Sequence, residues 1–285
     1  MEKKFVKKAR LVVKGFEDVD IEKENTQSPV CGKENLRLVF TLIACHEWKP
    51  HSPDVKTAFL QGKRMTRKGC IIDVCPFEPS LFLWKYNGNI DGVMTINMDD
   101  FCGGIYLFEK NIISKFRDTF NVGQEETDKF KFLDIQVFEK KALYFGSNEY
   151  VDGLDEMRFD VSKQTILTIS QLKDFHTTLG QIQWVVEQTR PDCMSKAFAL
   201  SGCSKNATGQ HVLELNKFIR QLKYDQNLLF TIKNIEHMSN FEIFVFSDAA
   251  FGNLRDGGSQ SGCFFVVANG ALDFNPICLQ SRLIR

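Results

Sequence analysis

Residues 81–108 of this 285-residue chain constrain its fold more than any other stretch. Apolar and aromatic runs are interrupted there twice, first by Asn87-Gly88-Asn89 and then by Met98-Asp99-Asp100. Asn and Gly tolerate the positive φ that tight hairpin turns need, so the spacing predicts three short strands joined by two such turns. The second turn is unusual in its charge. Adjacent carboxylates repel unless something positive neutralises them. Mg²⁺ suits that role, because it takes carboxylate oxygens together with water and substrate phosphates. An ordinary solvated acidic turn is the alternative reading of the same two residues.

A second acid lies upstream, Asp54 in Ser52-Pro53-Asp54-Val55-Lys56-Thr57-Ala58-Phe59-Leu60. A strand-end Asp followed five positions later by an aromatic, and then a strand–turn–strand bearing Met98-Asp99-Asp100, resembles motifs A and C of reverse transcriptases. The wording Asp-Val-Lys-Thr-Ala-Phe-Leu-Gln-Gly from Asp54 is similar to the Ty1/copia class of retrotransposon polymerases. Lys8-Ala9-Arg10-Leu11-Val12-Val13-Lys14-Gly15-Phe16 resembles the fingers signature of that class. Ser247-Asp248-Ala249-Ala250-Phe251 resembles the start of its ribonuclease H domain.

The resemblance implies an α+β fold: a polymerase palm-like (ferredoxin-like) antiparallel sheet with covering helices, a helical connection region, and a partial ribonuclease H-like β-meander. It divides the chain into partial fingers (1–50), palm (51–146), thumb and connection (147–235) and a truncated ribonuclease H-like domain (236–285). It implies an RNA-directed DNA polymerase that uses two Mg²⁺ ions, dNTPs and an RNA or DNA primer–template. Asp54 and Asp99 are then expected to bind both metals, with Asp100 completing the carboxylate set. Arg10 would hold the incoming triphosphate, since its planar fork donates two hydrogen bonds to phosphate oxygens. Phe59 would be the steric gate beneath the sugar, and Met98 would lie beside the substrate. Asp248 would be the first carboxylate of the ribonuclease H remnant. From the residues alone, Arg10 also fits a solvated N-terminal arm, and Phe59 also fits a core position in a chain with 26 Phe.

The chain departs from the family between its two acidic motifs. From Asp54 to Asp99 there are 99 − 54 = 45 residues. The resemblance leads one to expect roughly twice that interval and a Tyr-Gly-Leu…Ala-Pro…Trp segment, motif B, which packs on the nascent base pair. Residues 61–96 contain nothing like it. The interval still accommodates a strand, a crossover and a second strand. Positioning supplies several kcal/mol of such catalysis, so loss of this wall implies lost or much reduced activity. The expectation is therefore a polymerase region with impaired activity, or a non-catalytic retrotransposon relic that acts at most as a nucleic-acid-binding or interaction scaffold.

Composition adds bounds. Lys+Arg and Asp+Glu balance at 36 each, so any basic cleft for nucleic acid must come from charge distribution and not from net charge. Nine Cys without metal-ligand spacing, no signal peptide and no long apolar run point to a reducing intracellular compartment and no membrane span.

Along the rest of the chain, Leu36, Val39, Phe40, Ile43 and Ala44 fall on one helical face and predict a helix over 33–47 that packs behind the catalytic sheet. Further helices are expected over 109–120, over 171–201 in two pieces split at Arg190-Pro191-Asp192, and over 210–222. Strands are expected at 132–138, 142–145 and 165–169, and then at 242–247, 261–268 and 271–279 as a meander with an exposed edge.

Overall fold

The computed structural model describes residues 30–55, 71–86, 89–97, 100–105, 122–158, 161–235, 241–252, 257–269 and 273–284. They form a mixed α+β structure with three antiparallel sheets and five α-helices. The first sheet has the order β2-β3-β4-β5-β1-β6. Its strands are β1 (Pro50–Val55), β2 (Ile71–Cys75), β3 (Glu78–Tyr86), β4 (Asn89–Asn97), β5 (Asp100–Ile105) and β6 (Val122–Glu126). The three expected strands are therefore β3, β4 and β5, consecutive in space as in sequence. Two neighbours, β2 and β6, were not expected.

Helix α1 (Lys33–Cys45) covers this sheet. Leu36, Val39, Phe40 and Ile43 are buried in one cluster with Val93 of β4 and Cys102 of β5. The helix stops two residues before the expected end, by a Schellman arrangement. Glu47 N–H donates to Ala44 O and Trp48 N–H to Ile43 O, while Glu47 takes φ +53°. A left-handed Glu is unfavourable where Gly is at ease. Glu47→Gly is expected to raise stability by about 0.5 kcal/mol, the backbone gain being offset in part by loss of the hydrogen bond from Asn234 to the Glu47 carboxylate. A shift in the thermal midpoint measures it.

The second sheet, order β10-β9-β8-β7, comprises β7 (Lys129–Phe132), β8 (Ile135–Glu139), β9 (Ala142–Gly146) and β10 (Phe230–Lys233). Its inward residues Phe130, Phe132, Val137, Phe145 and Ile232 join the same cluster, with Phe40 of α1 edge-on to Phe145 at 4.7 Å. One helix thus serves two sheets. The expected single strand over 132–138 is in fact broken: Leu133 (φ +50°) and Asp134 (φ +60°) form a two-residue hairpin turn with both central residues left-handed.

A second core is helical. Helices α2 (Asn148–Asp152), α3 (Ile169–Gln188), α4 (Met194–Gly202) and α5 (Gly209–Tyr224) bury Phe175, Ile182, Val186, Ala197, Leu215 and Phe218 among others. The α5 stripe Val212, Leu215, Phe218, Ile219, Leu222 is buried throughout, as its spacing predicted. Between α3 and α4 the chain breaks at Pro191, and the buried Arg190 closes the break. Its guanidinium donates to both Asp192 carboxylate oxygens (2.9 and 2.8 Å) and to Asp225 O (3.3 Å). Burial alone would raise the Asp192 carboxyl, but the hydrogen bonds and charge of Arg190 outweigh it and hold it below the usual carboxylate range. The strand expected at 165–169 is not formed. Ile166 makes a single bridge to Thr208, and Thr168 caps α3 in a box with Gln171.

The third sheet is the expected meander, β11 (Glu242–Ala250), β12 (Ser259–Asn269) and β13 (Asp273–Ile284), in the order β11-β12-β13. It is bound to the rest through β13. The fully buried Asn275 exchanges two 2.8 Å hydrogen bonds with the backbone of Lys233, and Arg37 of α1 donates to Ile277 O at 3.2 Å. The expected N-terminal segment and the helix expected at 109–120 lie outside the described residues.

Candidate functional site

Pro50 and Pro53 limit the hydrogen bonds β1 can donate, yet the strand is held between β5 and β6. Ser52 Oγ donates to Phe101 O at 3.1 Å, which pins β1 to β5. The register is regular: Pro50 faces Gly104, His51 faces Gly103, and Asp54 faces Asp100. On the other side of β5, Asp100 faces Asn97. Asn97, Asp100 and Asp54 therefore occupy one row across β4, β5 and β1, at the end of the sheet where the β4–β5 hairpin turns. Residues directly opposed on antiparallel strands have Cα atoms about 4.5–5.5 Å apart.

Of the residues singled out from the sequence, Asp54 is placed by its backbone in β1, and Asp100 begins β5 with an exposed side chain. Arg10, Phe59, Met98 and Asp99 lie outside the described residues. Asp248 is within β11, two residues before its end, far along the chain and in a different sheet; its carboxylate accepts a 2.8 Å hydrogen bond from Ala249 N–H. Asp248 lines an open groove of about 470 Å³ together with Asp192, Ser195, Phe246 and Gln280.

The row at the sheet end suits a hard cation. Mg²⁺ binds oxygen at about 2.0–2.1 Å and keeps several waters, so one or two protein carboxylates suffice. Two aspartates, Asp54 and Asp100, stand on directly opposed backbone positions there. A third oxygen is available beside them: Asn97 Oδ1 is shielded from solvent and has no hydrogen-bond partner among the described residues. Among the described residues, no group of three or more His, Cys, Asp or Glu side chains is assembled for a metal. In the sequence Asn97 immediately precedes Met98-Asp99-Asp100. Its neighbourhood to Asp100 follows from the hairpin register, which the turn residues imply once the strand ends are known.

Burial pushes the Cys102 and Cys193 thiols up. Among the described residues no helix is long and apolar enough to cross a membrane.

The family model described as Reverse transcriptase (RNA-dependent DNA polymerase) matches residues 1–72, that is 72 of 285 residues. This region is thus similar to a retrotransposon reverse transcriptase, and it contains Arg10, Asp54 and Phe59.

Proposed function

We propose that the chain carries a reverse transcriptase palm of Ty1/copia type, with Asp54, Asp99 and Asp100 as its carboxylate set. The observation that carries this reading is the register placing Asp54 opposite Asp100 on adjacent strands, in a chain whose first 72 residues match the reverse transcriptase family. The first sheet with α1 behind it would be the palm, the helical core the thumb and connection, and the meander the beginning of a ribonuclease H-like fold around Asp248.

In this reading Asp54, Asp99 and Asp100 hold two Mg²⁺ ions. When bound, these lower the pKa of a primer 3′-hydroxyl and stabilise the charge on the leaving pyrophosphate. The chain's own contribution is positional. Asp54 and Asp100 bring negative charge from two strands to one sheet end, and Asn97 offers a neutral oxygen beside them. Arg10 would engage the triphosphate of a dNTP, Phe59 would exclude a ribose 2′-hydroxyl, and Met98 would contact the primer–template side of the turn.

A second reading is a scaffold that no longer copies. It is favoured by the sequence of residues 61–96, which contains nothing like the motif B segment that the resemblance leads one to expect. Without that segment, nucleotide positioning would be weakened even where the carboxylates meet. Primer extension on homopolymer templates with Mg²⁺ tests the choice. The polymerase reading expects slow incorporation that Asp99→Ala removes; absence of incorporation at every enzyme concentration supports the scaffold.

A further inference from the structure

The row of oxygen-bearing residues at the end of the first sheet does not stop at β1, because β6 lies on its far side. Two β6 residues keep a regular register with β1: Glu126 stands opposite Ser52 and Glu125 opposite Pro53. Residues opposed across an antiparallel pair share a face, and so do alternate residues of one strand. Positions 126, 52, 54 and 100 therefore fall on one face of the sheet, and position 125 falls on the other. Between Pro53 and Val55 the register shifts, so Asp54 faces two β6 residues, Gly123 and Gln124, where a regular ladder would give one. The bulge leaves Glu126 as the acid of β6 on the aspartate face.

Glu126 is one diagonal step from Asp54, about 7–8 Å between Cα atoms, a spacing within reach of a long side chain. The residue between them is small. Ser52 stands directly opposite Glu126, and its hydroxyl is turned to Phe101 O at 3.1 Å. The Glu126 side chain is exposed and makes no ion pair among the described residues. Elsewhere in and beside this sheet acids are matched: Asp73 pairs with Lys85 at 2.8 Å and Asp128 with Lys49 at 3.4 Å. An unmatched carboxylate on the face of two others is unfavourable unless a cation joins them.

We propose that Glu126 is a positioning residue for the divalent-ion site of Asp54 and Asp100, acting through water; this rests on the reading of that site given above. Mg²⁺ takes one or two carboxylates and keeps several waters. Each such water has O–H groups to donate, so the site needs acceptors beyond its direct ligands. Glu126 supplies one from the β6 side, as Asn97 Oδ1 supplies one from the β4 side. The ion is then braced from both flanks of the β5–β1 pair. Groups that orient a metal's ligands from outside in this way are worth about 10–100-fold in affinity. Glu126 is exposed, which places it at the low end of that range.

Mn²⁺ titration of the full chain, read from the free-ion electron paramagnetic resonance signal, tests this. Wild type should bind, and Glu126→Gln should weaken binding about tenfold with unchanged circular dichroism. Glu125→Gln removes the same charge one residue away, but from the opposite face, and should weaken binding by less than about twofold. Glu126→Asp keeps the carboxylate on a shorter stem and should bind more tightly than Glu126→Gln. Unchanged affinity in Glu126→Gln overturns the proposal, as does an equal loss in Glu125→Gln or a Glu126→Asp chain no better than Glu126→Gln. If Asp54→Asn still weakens binding in those cases, the aspartate site stands without Glu126. A wild-type chain that binds no Mn²⁺ overturns both.

Discussion

Replacing Arg37 by Met should lower the unfolding free energy by about 4 kcal/mol, read from urea denaturation. Arg37 lies on α1 and is 5% exposed. Its guanidinium donates to Glu187 O (2.6 Å), Gln188 O (3.4 Å) and Ile277 O (3.2 Å), and sits over the Phe230 ring at 4.9 Å. It therefore ties α1 to the C-terminus of α3, to β10 and to β13, across all the layers of the structure. Burial, partly offset by Glu34, Cys278 and Glu187, holds its pKa below the ordinary value, so the charge is not there for its own solvation. It stays because the last carbonyls of α3 have no partner within the helix and carry the negative end of its dipole. Met fills the volume and avoids the desolvation. It leaves one buried and two part-buried carbonyls without this donor, at about 1–3 kcal/mol for a fully buried one and less for the others. The carbonyl penalty exceeds the desolvation relief. Arg37→Lys keeps the charge but lacks the fork that reaches two elements, and should fall about midway. A loss under about 1 kcal/mol for Arg37→Met would show that water serves these carbonyls equally well.

Gly103→Ala should cost about 3 kcal/mol, more than Gly104→Ala one residue later. A Cβ on Gly103 would overlap the Val93 carbonyl oxygen and come within 2.9 Å of Met94 Cα. Both are backbone of β4, and neither can move without opening the β4–β5 ladder. The three atoms nearest a Cβ on Gly104 would all be side-chain carbons of Ile43, at 2.7, 3.2 and 3.2 Å. Ile43 is fully buried, so Gly104→Ala still costs about 1–2 kcal/mol, and Ile43→Ala in the same chain should recover part of it. The contrast is informative beyond stability. Opening β4–β5 displaces Asp100 from its place opposite Asp54, whereas a shift of α1 does not. Metal affinity should therefore fall with Gly103→Ala and hold with Gly104→Ala. Equal costs for the two substitutions, in urea melts, would contradict this division.

What could be read in advance follows a physical line. α1, α5 and the pair α3–α4 were visible because each buries a stripe at helical spacing, and because Pro191 removes a helical N–H at the break. The strands β3, β4 and β5 were visible through Asn87-Gly88 and Met98-Asp99-Asp100. β2 and β10 are five and four residues long; β2 carries no alternation, and the alternation of Phe230-Thr231-Ile232-Lys233 is too short to mark a strand without its pairing to β9. The β7–β8 turn escaped notice because Leu133-Asp134 is a poor composition for left-handed residues. At 165–169 the β-branched run Thr-Ile-Leu-Thr-Ile suggested a strand, but the Thr168…Gln171 capping box starts a helix there, and that signature was present in the sequence. Asp54 and the aspartate pair were singled out from the sequence, but the register of Asp54 opposite Asp100 depends on how β1 enters the sheet between β5 and β6. No local pattern encodes that choice.

Binding of Mn²⁺, followed by the loss of the free-ion electron paramagnetic resonance signal, tests the central claim most directly. Wild type should bind, and Asp54→Asn and Asp100→Asn should each weaken binding by at least tenfold while Asp248→Asn leaves the affinity at this site unchanged. Equal binding by wild type and Asp54→Asn, with both folded by circular dichroism, would mean that the two opposed aspartates do not share an ion.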